Sequence, residues 1–176
     1  IEQKRPKGFC FTLAETHKDL AGRIATYNEL IGQNDELFGL NYSNDICANY
    51  IISVAKDQVK PGSLIIVDYL QLLDEKRVNP PLQRQIEQLK DFAKETGCII
   101  IFLSQVDREI EYRANQRPKI DDIRLPNPLD TNLLNKIVLL YREKKESKQV
   151  EVTLAGKTPH TFNVGWNSSE IKFFDI

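Results

Sequence analysis

The chain has 176 residues with 24 Lys+Arg against 25 Asp+Glu, a formal net charge of −1. A whole-molecule basic footprint for nucleic acid is thereby excluded, so any such contact must come from a local patch or from several copies acting together. Hydrophobic residues make up 41% and charged residues 28%, which fits a globular domain long enough to bury a core. No run of about 18 apolar residues marks a helical membrane span. The start, Ile1-Glu2-Gln3-Lys4-Arg5-Pro6, lacks the apolar core of a signal peptide. Cys10, Cys47 and Cys98 are too scattered for a disulfide framework or a C-x-x-C metal site. Cys10 and Cys98 lie in apolar runs and are expected as buried thiols in a reducing, cytoplasmic compartment. The chain contains no Met, and together with a start in mid-domain this suggests a fragment.

In chain order, residues 8–13 (Gly-Phe-Cys-Phe-Thr-Leu) form an unalternating apolar run, read as a buried strand. Thr16, with Asp19 three residues on, has the spacing of a helix N-cap. Leu20, Ile24, Tyr27 and Ile31 follow at helical spacing, and Gly32 can end that helix. Ser43 or Asn44 is expected to cap a second helix with Ile46, Tyr50 and Val54 on one face. Lys60-Pro61-Gly62 reads as a turn. Residues 63–68 form a strand expected to be covered on both faces. Leu82, Ile86, Leu89 and Ala93 line a third helix that stops at Gly97, and 98–104 form another buried strand. Strand–helix–strand units about 30 residues apart predict a parallel sheet with crossover helices. Residues 105–135 show little periodicity, as functional or disordered segments do. Four short β-rich runs follow, at 136–142, 149–154, 161–164 and 170–174.

Leu64-Ile65-Ile66-Val67-Asp68 is an apolar strand ending in an acid. In parallel α/β sheets that end is where ligands bind, and the run has the Walker B form, whose Asp helps hold Mg²⁺ beside a nucleotide. A strand whose last residue caps a turn looks the same. The continuation is more specific. Asp68-Tyr69-Leu70-Gln71-Leu72-Leu73 is followed about 30 residues later by Phe102-Leu103-Ser104-Gln105-Val106-Asp107-Arg108. Then come Glu111-Tyr112-Arg113-Ala114-Asn115-Gln116-Arg117-Pro118, Asp122-Ile123-Arg124 and Leu139-Leu140-Tyr141-Arg142.

These segments, in this order and spacing, resemble the C-terminal RecA-like ATPase domain of DnaB-type replicative DNA helicases. The strongest part lies between residues 63 and 142. The resemblance implies an α/β fold of the RecA-like P-loop NTPase kind, a mostly parallel sheet flanked by helices, with a β-hairpin-rich C-terminal part. It implies one helicase core domain over residues 1–176. It further implies ATP and Mg²⁺ as cofactors, single-stranded DNA as partner, and self-association into a hexameric ring that unwinds duplex DNA during replication. Asp68 would hold the metal and nucleotide, and Gln105 would sense the γ-phosphate. Glu15 would orient the attacking water, and Lys157 would reach a neighbouring subunit's ATP site. Arg108, Arg113, Arg117 and Arg124 would face DNA. A solvated or salt-bridged surface segment is the alternative for these arginines, because Glu109, Glu111, Asp121 and Asp122 are interleaved with them.

Four features depart from the family pattern. No G-x-x-x-x-G-K-[ST] loop lies within the chain. In Gly156-Lys157-Thr158 the residue five before Gly156 is Glu151, and Pro159 follows at once. Ala14 stands where the family has its catalytic Glu, with Glu15 one residue later. Pro159 replaces the Arg two residues after the trans Lys. Finally, the loop Leu125-Pro126-Asn127-Pro128-Leu129-Asp130-Thr131 carries two prolines, which remove backbone N–H groups that could grip phosphate. A degenerate RecA-like binding or assembly module, without hydrolysis, is therefore the competing reading.

Overall fold

The structure, a computed structural model, describes residues 8–13, 17–30, 38–74, 80–125, 130–170 and 172–176. The chain forms two compact units, Ile1–Gln105 and Val106–Ile176. The fold class is α/β: a parallel sheet with helices in the first unit, an antiparallel sheet in the second.

The first unit holds strands β1 (Gly8–Thr12), β2 (Phe38–Asn41), β3 (Leu64–Asp68) and β4 (Ile99–Leu103). They pair in the order β2-β1-β3-β4, all parallel. Helices α1 (His17–Leu30), α2 (Ala48–Ala55) and α3 (Leu82–Thr96) alternate with them. All five residues of β1 are buried, as its unalternating run predicts for a strand flanked on both sides. In β3 only Ile65 and Val67 are fully buried, while Leu64 and Ile66 are half-buried, so one face is less covered than expected.

The buried reading of β4 is corrected. Ile99, Ile101 and Leu103 are 56%, 42% and 47% exposed. Among the described residues β4 has only β3 beside it and lies at the sheet's edge, so the face carrying these three side chains is open. Strand β2 escaped the sequence reading because Phe-Gly-Leu-Asn is too short to show a period.

Helix α3 follows its periodicity. Ile86, Leu89 and Phe92 are buried, and Gly97 ends the helix in the left-handed region at φ 71°, where glycine carries no Cβ penalty. Helix α2 begins later than expected. Its N-cap is Cys47, with no side-chain cap, and its buried residues are Ala48, Ile51 and Ala55 rather than the face of Tyr50 and Val54. Ser43 instead accepts from the Asp45 amide at 3.1 Å, and its own amide donates to Asn41 Oδ1 at 3.2 Å. Local turns thus use the polar groups expected at the cap. The missing cap is supplied from α3. Gln85, fully buried, accepts from the Ala48 amide at 3.0 Å and donates to the carbonyls of Leu73 at 2.6 Å and Pro80 at 2.8 Å.

The second unit is a meander of β5 (Ile137–Tyr141), β6 (Gln149–Ala155), β7 (His160–Asn167) and β8 (Lys172–Asp175). These match the four β-rich runs. Among the described residues of 105–135, read as unpatterned, are three short 3-10 turns, Arg108–Tyr112, Ile120–Asp122 and Thr131–Leu133. An isolated bridge joins Val106 to Ile123. Trp166 packs on Phe173 with ring centroids 4.9 Å apart.

Candidate functional site

Parallel strands end together, so the registers of the first unit define one row at its carboxyl edge. Phe11 pairs with Asn41, Thr12 with Asp68, and Asp68 with Leu103. Asn41, Thr12, Asp68 and the Ser104–Gln105 pair therefore sit along the edge where α/β sheets present ligand-binding groups. Asp68 is half-buried. One carboxylate oxygen accepts from the Thr12 hydroxyl at 3.2 Å, and Thr12 itself is fully buried. The peptide after Asp68 is cis.

The turn following β3, Leu70–Asp74, is tied to the end of β4. Gln71 Nε2 donates to Ser104 Oγ at 3.1 Å and to the Gln105 carbonyl at 3.4 Å. The Gln105 side chain is exposed. Asp68 and Gln105 thus lie on neighbouring strands, with a hydrogen-bonded strap between the segments that follow them.

Among the described residues no three His, Cys, Asp or Glu side chains cluster to hold a metal. A lone strand-end carboxylate is nevertheless what Mg²⁺ uses when phosphate oxygens and waters complete its shell. Asp68 therefore suits a metal–nucleotide pair better than a free ion.

The candidate arginines lie in the second unit, where Arg113 and Arg117 make close carboxylate contacts and Arg124 a longer one. Arg113 Nη2 donates to Asp122 Oδ2 at 2.6 Å. Burial pushes the Asp122 carboxyl up, but the Arg113 hydrogen bond, the Lys119 amide and both positive charges outweigh this and hold it below the ordinary carboxylate value. Arg117 Nε donates to both carboxylate oxygens of Glu151, at 2.7 and 3.0 Å. Its guanidinium also lies 4.9 Å from the centre of the Tyr141 ring. Its pKa is raised, first by the Glu151 hydrogen bond and then by the Glu151 charge. Arg113, Arg117 and Tyr141 line an open polar cleft of about 470 Å³ together with Asn115, Glu143 and Lys144. Arg108 is exposed. Arg124 is 75% exposed, with Asp107 at 4.0 Å. Lys157 is exposed in the turn between β6 and β7.

Glu15, with Ala14 and Thr16 beside it, lies outside the described residues, as do Ile31, Gly32 and residues 126–129 with both loop prolines. The sequence reading gave no site role to Thr12 or Glu151, and took Gln71 and Tyr141 only as parts of motifs. Thr12 had a signal, since a polar residue ends the apolar strand β1 as Asp68 ends β3. Glu151 had none, because its partner is 34 residues away.

The pattern of the DnaB-like helicase C terminal domain matches residues 40–167. The replicative DNA helicase DnaB of Mycoplasma genitalium is 34% identical over 94 residues, covering 50% of this chain and 20% of that protein. A probable plasmid replicative DNA helicase of Chlamydia trachomatis is 32% identical over 124 residues, covering 68% and 26% respectively. DnaB of Buchnera aphidicola is 35% identical over 133 residues, covering 64% and 29%. The chain thus spans less than a third of the curated relatives it matches. Among solved structures, an ATPase domain superposes with a TM-score of 0.73 at 20% identity, over 97% of this chain and 74% of that one. A DnaB-like replicative helicase, studied with its primase interactions, gives 0.69 at 20% identity, over 97% and 52%. These two likenesses concern the fold.

Proposed function

Because the chain belongs to the DnaB-like helicase C-terminal domain family, we propose that it is part of an ATP-driven replicative helicase motor that moves on single-stranded DNA and unwinds duplex. The carrying observation is Asp68, half-buried at the carboxyl end of a parallel strand and held by Thr12, with Gln105 strapped alongside through Gln71. Asp68 would hold the Mg²⁺ of a nucleotide, and Gln105 would register the γ-phosphate. When bound, the metal neutralises charge on the transferring phosphoryl group. What these residues contribute is position: Thr12 fixes one carboxylate oxygen, and the Gln71 strap couples the Walker B turn to the segment leading into Arg108.

The phosphate-cradling loop has no counterpart in residues 1–176 and would come from a further segment of the protein. The open side of β4 offers such a segment a strand to pair with. Glu15 would orient water and Lys157 would act on a neighbouring subunit. Exposed Arg108 and Arg124 would meet DNA phosphates, and a ring of six copies would multiply that modest charge.

The test is ATP hydrolysis by the intact gene product, with and without single-stranded DNA. Stimulation by DNA that disappears in Gln105→Ala supports this reading. No hydrolysis under either condition sinks it. That second outcome favours a degenerate RecA-like binding or assembly module without hydrolysis, the reading to which Pro159 points, since it leaves Lys157 without a guanidinium two residues on.

A further inference from the structure

Tyr141 on β5 and Glu151 on β6 are register partners. Directly opposed residues of an antiparallel pair hold their side chains side by side, so an aromatic face and a carboxylate form a ready-made seat. Arg117 occupies it, its Nε shared between both Glu151 oxygens and its guanidinium over Tyr141. A planar guanidinium can bond a carboxylate at its edge while its face lies on a ring, a geometry better pre-organised than an ammonium's.

From Arg117 the bonds run on. Its carbonyl accepts from Arg113 Nη2 at 3.3 Å. The same nitrogen donates to Asp122 Oδ2, which also accepts the Lys119 amide at 2.7 Å. The Asp122 carbonyl accepts the Asp107 amide at 2.7 Å. Asp107 Oδ1 then caps the turn that starts at Arg108, accepting the Glu109 amide at 3.0 Å.

We propose that Glu151 is a positioning residue for the Arg-rich segment. Through Arg117, Arg113 and Asp122 it fixes Asp107, so that Arg108 and Arg124 are presented to nucleic-acid phosphate while Arg113 and Arg117 do not touch it. The division of labour among the arginines rests on the DNA-binding reading above; the positioning of residues 107–122 stands apart from it.

The experiment uses the intact protein and a fluorescent oligothymidine, titrated over a salt series, for Glu151→Gln, Arg117→Ala and Arg124→Ala. Glu151→Gln is expected to weaken binding about fivefold, the scale of one well-made ion pair, with the salt slope unchanged because no phosphate contact is lost. Arg117→Ala should behave the same way. Arg124→Ala should lower the slope by about 0.7, one single-strand phosphate contact. Tighter binding in Glu151→Gln overturns the proposal, because it means that Glu151 had been masking a DNA-contacting Arg117. A slope reduced in Arg117→Ala overturns it too.

Amide hydrogen exchange separates the two layers. Glu151→Gln should speed exchange at Asp107, Glu109 and Lys119, and unchanged exchange there refutes the positioning role whether or not DNA binds. If the unaltered protein ignores the oligonucleotide, the DNA-binding reading and the assignment of Arg108 and Arg124 fall, while exchange still decides the role of Glu151.

Discussion

Replacing Gln85 by Leu tests how the parallel unit is held beneath its functional edge. The two side chains are close in volume, so the substitution removes polarity without opening a cavity. Three hydrogen bonds vanish: from the Ala48 amide to Oε1, and from Nε2 to the Leu73 and Pro80 carbonyls. Ala48 and Gln85 are both fully buried, and α2 has no side-chain cap of its own, so the Ala48 N–H loses its acceptor in a dry place. An orphaned buried donor costs about 1–3 kcal/mol. Each carbonyl keeps a second lone pair and adds less, roughly 0.5–1 kcal/mol, and burying Leu returns about 1 kcal/mol. The net expectation is about 1–4 kcal/mol of destabilisation. Urea unfolding of the intact protein, followed by hydrogen exchange at the Ala48 amide, measures it. A loss below about 0.5 kcal/mol with Ala48 still protected refutes the reasoning, because the amide would then have another acceptor.

Three further expectations follow from single positions. Gly97→Ala forces a Cβ into a left-handed backbone, 3.2 Å from Pro61, and should lower stability by about 1–3 kcal/mol in thermal unfolding; an unchanged midpoint contradicts it. Gly165→Ala would drive a Cβ into the Phe174 ring that covers it, so the ring must move. NMR should show Phe174 displaced while the Trp166–Phe173 contact survives. Burial raises the Asp122 carboxyl, yet Arg113 and the Lys119 amide bring it below its ordinary value. Its stabilisation is therefore complete above the unfolded value of about 3.9 and is lost as pH falls through the lower folded value. Asp122→Asn should flatten that acid limb of the stability–pH curve, and an unaltered limb would show that Asp122 does not cause it.

Much of the parallel unit was legible because its signals are local. The unbroken apolar run of β1, the helical period of α3 and the left-handed stop at Gly97 each lie within a few residues of chain. The four runs of the meander were legible for the same reason. What escaped depends on distance. The start of α2 is set by Gln85, 37 residues away, and no pattern near Ser43 or Asn44 could reveal it. The exposure of β4 depends on which strands flank it, and its Ile-Ile-Ile-Phe-Leu run reads as buried whether or not a neighbour exists. At the site, Asp68 and Gln105 were found by motif and do share one sheet edge. Arg113 and Arg117 read either as DNA-facing or as part of a salt-bridged segment; Asp122, one of the interleaved acids, does pair Arg113, whereas Arg117 takes Glu151, 34 residues away on β6, which charge counting cannot find.

The central claim is that the sheet edge at Asp68 is a metal–nucleotide site. Mg²⁺-dependent ATP binding by the intact protein, compared with Asp68→Ala, tests it most directly. The account predicts that the substitution weakens Mg-ATP binding by roughly 10- to 100-fold, the range for losing a metal-supporting group, and leaves binding of metal-free ATP nearly unchanged. Equal Mg-ATP affinity in the two proteins would contradict it.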